Sequence, residues 1–200
     1  MNARLVEACH DSGGLFRPVG LVNPALPDWA ADLRRCVEEY GMKIIRLTPN
    51  YHGYTLEDPG FRDLMAMASE AGLAVQIVAQ MEDERTQHPG MRVAPVNLGA
   101  LPGVLDSMPS AQVMILNTNA RMVTTALRDC DRLWLDIAMI ESAGGVGSLL
   151  NQWPNEKVCF GSFSPLFYWE SAMLKLKESA LEGETLNAVR EANAVQFLKA

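Results

Sequence analysis

Residues Gly72–Pro89 have the sequence GLAVQIVAQMEDERTQHP, in which an apolar run, Leu73–Ala79, leads directly into charged and polar side chains. An uninterrupted apolar run of this length is typical of a parallel β-strand buried on both faces. In parallel α/β folds, the residues just past the carboxyl end of such a strand line the ligand site. A solvated loop before a proline would have the same composition, so the position after the strand is what favours a site. The candidate side chains are Glu82, Asp83, Arg85 and His88.

Five further apolar runs have a similar form and alternate with helical patterns. The six expected strands are Arg17–Val22, Met42–Leu47, Leu73–Ala79, Gln112–Leu116, Leu133–Ile140 and Lys157–Gly161. Strands that each hand over to a helix imply right-handed crossovers and a parallel sheet. The sequence therefore predicts an α/β fold.

The intervening helices are predicted from apolar residues at helical spacing and from the residues that begin and end them. Asp28 and Asp58 are suited to begin two helices, and Gly41 and Gly72 supply the left-handed residue that ends them. Thr48–Tyr54 is expected to be a loop. The other expected helices are Asn2–Cys9, Leu101–Met108, Asn119–Arg128, a segment ending near Trp153, Trp169–Lys177 and Thr185–Leu198.

Composition and charge limit the classes of protein. With 200 residues and 48% apolar content, the chain is predicted to be one domain, residues 1–200, with a substantial core. A net charge of -7 without a basic cluster argues against nucleic acid as a partner. No apolar run approaches the ~20 residues of a membrane span, and the N-terminus does not resemble a signal peptide, so we expect no membrane partner and a cytoplasmic location.

The four cysteines do not suggest a metal site or a disulfide framework. Cys9, Cys36, Cys130 and Cys159 are widely separated, without a CxxC pair. We expect them to be reduced and to pack as small apolar side chains.

Two architectures are compatible with a parallel sheet, an open doubly wound sheet and a closed (β/α)8 barrel. Gly145-Val146-Gly147 follows a strand and begins a helix, as a dinucleotide fingerprint would. However, Leu150 occupies the third glycine position, and no acidic residue closes a following strand about twenty positions later. The match is therefore incomplete, and tight-turn packing is an adequate explanation for these glycines.

Five stretches, in order, favour the barrel: GMKIIRLTPNYHGY, LEDPGFRDLMAMASEAGLAVQI, RLWLDI, KVCFGSFSP and EANAVQFL. Their order and spacing over nearly the whole chain resemble the amidohydrolase-related branch of the metal-dependent hydrolase superfamily. The run Phe160–Pro165 partly matches the family's Phe-Gly-Ser-Asp-x-Pro signature, and Asn193-Ala194 partly matches its Asn-Ala-x-x-Leu chain end.

This resemblance implies a TIM-like (β/α)8 barrel, here incomplete, with about six parallel strands each followed by a helix and without the family's first two strands. It also implies a divalent metal, usually zinc, that promotes hydrolysis or decarboxylation of a small carboxylic or amide substrate. The sequence departs from the family at the metal positions. The His-x-His of the first strand has no counterpart, and the other ligand positions hold Val78, Asn117 and Phe163.

Two hypotheses follow, and the sequence leaves both open. In the first, the barrel mouth carries a rebuilt site for a small-molecule substrate, with or without zinc. Its catalytic residues would be His88, Glu82, Asp83 and Asp136, and its substrate-binding residues Arg46, Tyr51, His52, Arg85, Asn117, Asn119 and Ser162. In the second, the chain is a non-catalytic relative that binds a small molecule or a partner subunit. His52 and His88 would then be ordinary loop residues, whereas Asp136, within a strand, still needs a partner.

Length gives a further expectation. A complete barrel takes ~250 residues, so six strands leave two unpaired sheet edges. We therefore expect either a fragment of a longer protein or a homo-oligomer, with Met1–His10 as the remnant of a crossover helix.

Overall fold

The computed structural model describes residues 1–128 and 130–199, and these residues form one parallel sheet with helices around it. The six strands lie in the order of the sequence, each paired in parallel with the next. Their bounds are β1 Gly20–Leu21, β2 Ile44–Leu47, β3 Ala74–Val78, β4 Gln112–Leu116, β5 Trp134–Asp136 and β6 Val158–Cys159. Sequential parallel order is the arrangement of a (β/α) barrel, so the expected incomplete barrel is confirmed.

Helices follow the strands as the alternating pattern predicts. Their bounds are α1 Asn2–Asp11, α2 Trp29–Glu38, α3 Pro49–His52, α4 Pro59–Glu70, α5 Leu101–Asp106, α6 Ala120–Thr124, α7 Gly145–Leu150, α8 Trp169–Glu178, α9 Gly183–Asn187 and α10 Asn193–Lys199. A 3-10 turn, Asn155–Lys157, precedes β6, and a π-helical turn, Ala188–Ala192, joins α9 to α10. Among the described residues, no helix is both long and apolar enough to cross a membrane.

Several elements differ from the expected bounds for identifiable reasons. β1 is shorter than Arg17–Val22, since Pro18 has no N–H to donate to a ladder. β5 ends at Asp136, after which the Ile140 N–H donates to the Ile137 carbonyl in a turn. The expected loop Thr48–Tyr54 contains α3, with a proline in its first turn and Gly53 in the left-handed region at its end.

Two helix boundaries also need correction. The helix expected over Asn119–Arg128 ends at Thr124, and the one expected over Thr185–Leu198 contains the π-helical turn. Asp58 precedes α4 as predicted, but its carboxylate accepts a hydrogen bond from the Thr55 N–H rather than from the helix.

The two faces of the sheet carry different sets of apolar side chains. Residues such as Ile45, Val75 and Leu135 pack against the helices in the larger core cluster. Their neighbours along the strands, such as Ile44 and Trp134, face the barrel interior in a smaller cluster. This alternation follows from the two-residue period of a β-strand and explains why the strands are continuous apolar runs in the sequence.

Helix α10 covers part of the interior cluster. Phe197 is 2% exposed and packs on Trp134 of β5, with ring centroids 5.5 Å apart. Trp134 is the first residue of its strand, so α10 packs at the amino-terminal end of the barrel. The opposite end, where the strands finish, carries the polar side chains.

The outer edges of the sheet receive hydrogen bonds from groups that are not strands. At β1, the side-chain amide of Asn2 accepts from the Leu21 N–H and donates to the Leu21 carbonyl, both at 3.0 Å. At β6, the Asn193 amide donates to the Val158 carbonyl at 2.7 Å, and the Phe160 N–H donates to the Val189 carbonyl at 2.7 Å. Helical segments of the chain itself therefore bond to backbone groups at both edges of the sheet, which were expected to be unpaired. The homo-oligomer stays a prediction.

Candidate functional site

The barrel interior contains a cavity of about 800 Å³ bounded by side chains from β1 to β6 and from α10. Its wall is mostly apolar, with Ile44, Met114 and Phe197 among the contributing residues. Polar side chains are few and come from three strands and from the segments before β1, after β2 and after β6. They are Arg17, Arg46, Thr48, Gln76, Asp136, Ser162 and Ser164. A mostly apolar cavity with a few convergent polar groups is the usual form of a small-molecule site.

Asp136, at the end of β5, is the buried acid of this cavity. It is 4% exposed, and its Oδ1 accepts a hydrogen bond of 2.7 Å from the Asn117 N–H. Loss of water on burial raises the pKa of Asp136 to about 6, although hydrogen bonds from the backbone of Asn117 and Ala138 and the charges of Arg46 and Lys175 act in the opposite direction. A carboxyl group that titrates near neutral pH can donate or accept a proton during catalysis.

Gly161, in the run that resembles the family signature, gives Asp136 its space. A Cβ atom at Gly161 would lie 2.5 Å from the Asp136 Oδ2 and 2.8 Å from its Cβ. Any larger side chain would therefore displace the carboxylate, which accounts physically for the glycine.

Arg46, on β2, is the cation that a strand contributes to the interior cavity, whereas Arg17 lines the cavity from an exposed position before β1. Its Nε and Nη2 donate to the Gln76 Oε1 at 3.0 and 2.8 Å, which fixes the guanidinium across the strand pair. Burial lowers the pKa of Arg46, and the nearby Asp136 carboxylate acts against this effect. A fixed guanidinium in an apolar wall is suited to hold a carboxylate ligand.

A second cavity, of about 480 Å³, lies at the mouth, where the strands end. It brings together two predicted residues, Glu82 and Asp83, after β3 and a third, Ser162, after β6. Tyr51 joins this group because its hydroxyl donates to the Glu82 Oε1 at 3.3 Å. Burial, and then the Glu82 carboxylate, raise the pKa of Tyr51.

Arg85 and Asn119 line a third, neighbouring cavity of about 430 Å³ together with Asp83. The Arg85 guanidinium is paired with the Asp83 carboxylate and lies 3.4 Å from a Glu141 oxygen. Asn119 is also the N-cap of α6, where its Oδ1 accepts from the Met122 N–H at 3.0 Å. Arg85 is thus engaged by acidic side chains rather than open to an anionic substrate.

The remaining predicted residues are placed differently. Asn117 is fully buried beneath the mouth, where its Nδ2 donates to the Gln80 carbonyl at 2.8 Å. His52 lies 3.2 Å from the Thr48 hydroxyl, and burial lowers the pKa of its ring. His88 is exposed in a turn, where its Nδ1 accepts from the Gly90 N–H, and it lines none of the three cavities. The structure thus brings Asn117 and Asp136 into contact but leaves His88 apart from them.

Two contributors to the site were missed from the sequence. Gln76 could have been noticed, since it is a polar residue within an apolar strand. Lys175 gave no such signal, because it resembles any charged residue of α8. Its Nζ donates to the carbonyl oxygens of Ala138 and Ile137 at the end of β5, and it lines the cavity at the mouth.

The donor set does not fit a divalent metal at the family's usual positions. Val78 and Phe163 belong to the interior apolar cluster and have no ligand atom. Asp136 is the carboxylate of the interior cavity. It already accepts hydrogen bonds from the backbone of Asn117 and Ala138, and Arg46 and Lys175 lie near it. Within residues 1–128 and 130–199, no group of three or more His, Cys, Asp or Glu side chains is placed to hold a metal ion.

Comparison with known proteins gives information on the family and on the fold. A family model described as amidohydrolase matches residues 1–199. No curated protein matches the chain.

Solved structures provide the remaining matches. A 5-carboxyvanillate decarboxylase from Novosphingobium aromaticivorans, with bound manganese and a nitrobenzoic acid, is 17% identical with a TM-score of 0.80, over 100% of this chain and 69% of that one. A 2,6-dihydroxybenzoate decarboxylase from Rhizobium is 13% identical with a TM-score of 0.77, over 99% of this chain and 75% of that one. A TIM-barrel protein from Bordetella bronchiseptica is 16% identical with a TM-score of 0.78, over 99% and 72% of the two chains. At these identities the likeness establishes the fold.

Proposed function

The chain belongs to the amidohydrolase family, and on that premise we propose that it is a decarboxylase or hydrolase that holds a small carboxylic acid in the interior cavity. One observation carries the proposal: a buried acid with a pKa of about 6, Asp136, shares the cavity wall with a fixed guanidinium, Arg46. A cation that binds a carboxylate and an acid that transfers a proton are the minimum that such a reaction requires.

The roles of the two residues follow from their chemistry. Arg46 holds a polar group of the substrate, while the apolar wall around Met114 and Leu116 contacts its carbon skeleton. In decarboxylation the bond between the carboxylate carbon and the skeleton breaks, and the electron pair remains on the skeleton. Protonated Asp136 supplies the proton to that carbon, carbon dioxide leaves, and a proton taken up from solvent restores the acid form of Asp136.

The proposal uses no metal-dependent step. The two decarboxylases above support the choice of a carboxylic acid, and one of them contains manganese. In this chain Val78 and Phe163 supply no ligand atoms, so we propose that the site is degenerate with respect to the metal. The zinc that the sequence resemblance implied stays a prediction, which metal analysis of protein purified without chelator would test.

The alternative is a non-catalytic relative that binds a small molecule. It is favoured by the backbone hydrogen bonds to Asp136, because they give this carboxylate a structural role that needs no substrate. The two functions predict the same ligand binding but differ in turnover.

Calorimetry and a turnover assay separate these functions. We expect benzoate or 2,6-dihydroxybenzoate to bind and raise the melting temperature, and Arg46→Gln to abolish the effect. Arg62, exposed on α4, provides the matched control, and Arg62→Gln should bind as the unaltered protein does. Carbon dioxide release that Asp136→Asn removes would support the enzyme. Binding without turnover would favour the alternative, and binding that survives Arg46→Gln would refute the proposed site.

A further inference from the structure

Lys175 carries an amine that could react with a bound molecule and that the proposed reaction does not use. It lies on α8, and its amine reaches the carboxyl end of β5, where it donates to the Ala138 carbonyl and, at 3.5 Å, to the Ile137 carbonyl. The side chain is half-buried and lines the cavity of about 480 Å³ at the mouth. A lysine held in this way at a cavity wall is positioned to meet a bound molecule.

The surroundings favour the neutral amine more than those of an ordinary surface lysine. Burial lowers the pKa of Lys175, while the carboxylates of Glu141 and Asp136 act in the opposite direction. In its neutral form the amine keeps two N–H groups for these carbonyls and a lone pair for a bound molecule. A desolvated lysine of this kind is the usual nucleophile toward a carbonyl carbon.

The cavity walls indicate which carbonyl compound would fit. Apolar side chains from three segments, including Met139 and Phe167, provide a surface for a ring. The acidic side chains Glu82, Asp83 and Glu141 line the same cavity and disfavour an anion. A neutral aromatic aldehyde satisfies both conditions.

We propose that Lys175 forms an imine with a neutral aromatic aldehyde bound in this cavity. The amine nitrogen attacks the carbonyl carbon, and a proton moves from nitrogen to oxygen to give a carbinolamine. The departing hydroxyl takes a proton from solvent and leaves as water, and the resulting iminium returns its N–H proton to solvent. The products are the imine and one water molecule, and no oxidant or reductant is consumed.

Reductive trapping tests the inference. The folded protein is treated with benzaldehyde and cyanoborohydride at neutral pH, and the modified peptides are identified by mass spectrometry. We expect a dominant benzyl adduct on Lys175, several times the amount on Lys177, which is exposed on the same helix.

Two variants complete the test. Lys175→Arg keeps a cationic donor for the two carbonyls but cannot form an imine, so the dominant adduct should disappear while the melting temperature stays close to that of the unaltered protein. Lys177→Met should keep the Lys175 adduct. Equal labelling of Lys175 and Lys177 in the folded protein, or a dominant adduct that survives Lys175→Arg, would overturn the inference. Benzoate binding through Arg46 does not depend on this result, so the proposed function is tested separately.

Discussion

The buried acid makes the stability of the protein depend on pH in a defined direction. The pKa of Asp136 rises from 3.8 to about 6 on folding, and its largest cause is loss of water on burial. At ~1.4 kcal/mol per pKa unit, this rise corresponds to a penalty of about 3 kcal/mol once the folded protein must ionise the group. Because the folded state keeps its proton longer than the unfolded state does, this contribution is favourable at low pH. It is lost as the pH rises through about 4 to 6.

Asp136→Asn removes the titration and isolates this contribution. The variant should lose some stability at every pH, since one amide oxygen replaces two carboxylate oxygens. Relative to the unaltered protein, however, its free energy of unfolding should improve by about 2 to 3 kcal/mol between about pH 4 and pH 7.5.

Urea denaturation of both proteins at the two pH values measures the difference. Asp63→Asn, at an exposed position of α4, is the control and should show no such trend. A difference between Asp136→Asn and the unaltered protein that stays constant within about 0.5 kcal/mol, or that changes in the opposite direction, would refute the assigned ionisation of Asp136 and the proton-donor role proposed for it.

Three other predictions concern packing, the sheet edge and assembly. Gly161→Ala should lower the free energy of unfolding, measured by urea denaturation, by about 1 to 3 kcal/mol, because the new methyl group would overlap Asp136. Gly103→Ala is the control: a Cβ there would have no atom within 4 Å, so this variant should be neutral or more stable. Asn193→Ala should lower the free energy of unfolding by about 1 to 3 kcal/mol, since it removes the donor to the buried Val158 carbonyl and to the partly buried Asn155 carbonyl. Asn187→Ala, at an exposed position, should cost much less. Light scattering tests the predicted homo-oligomer: a monomer over the accessible concentration range would contradict it.

The fold was predictable because its main signal is local. Each strand is a short apolar run between a helix end and a polar exit, and the parallel order follows from the alternation with helices. The glycines at the helix ends were equally readable, since Gly41 and Gly72 have φ values of 60° and 66°. Strand lengths were less predictable. The apolar run of the fifth strand continues to Ile140, but its backbone hydrogen bonds to the neighbouring strands stop at Asp136, where the chain turns.

The candidate site was predicted where its residues lie within a strand or just past its end. Arg46 and Asp136 lie within strands and line the interior cavity. Glu82, Asp83 and Ser162 lie past strand ends and line the cavity at the mouth. His88 does not, because the turn it occupies carries it away from the mouth. Lys175 reaches the site from a helix after the last strand, and only the packing of that helix against β5 reveals it.

The surroundings of Asp136 differ from the metal-binding pattern that the family resemblance implies. Asn117, at a usual histidine position, contributes its backbone N–H to the carboxylate, and Gly161, in the last-strand signature, leaves space for it. Arg46, and Lys175 in its protonated form, supply positive charge to the same carboxyl group from distant parts of the sequence. The fixed Arg46 guanidinium near this carboxylate reduces the electrostatic gain from adding a divalent ion, because the ion would repel it. The absence of ligand atoms at Val78 and Phe163 and the positive charge near Asp136 both support our proposal that this site uses a protonatable acid rather than a metal.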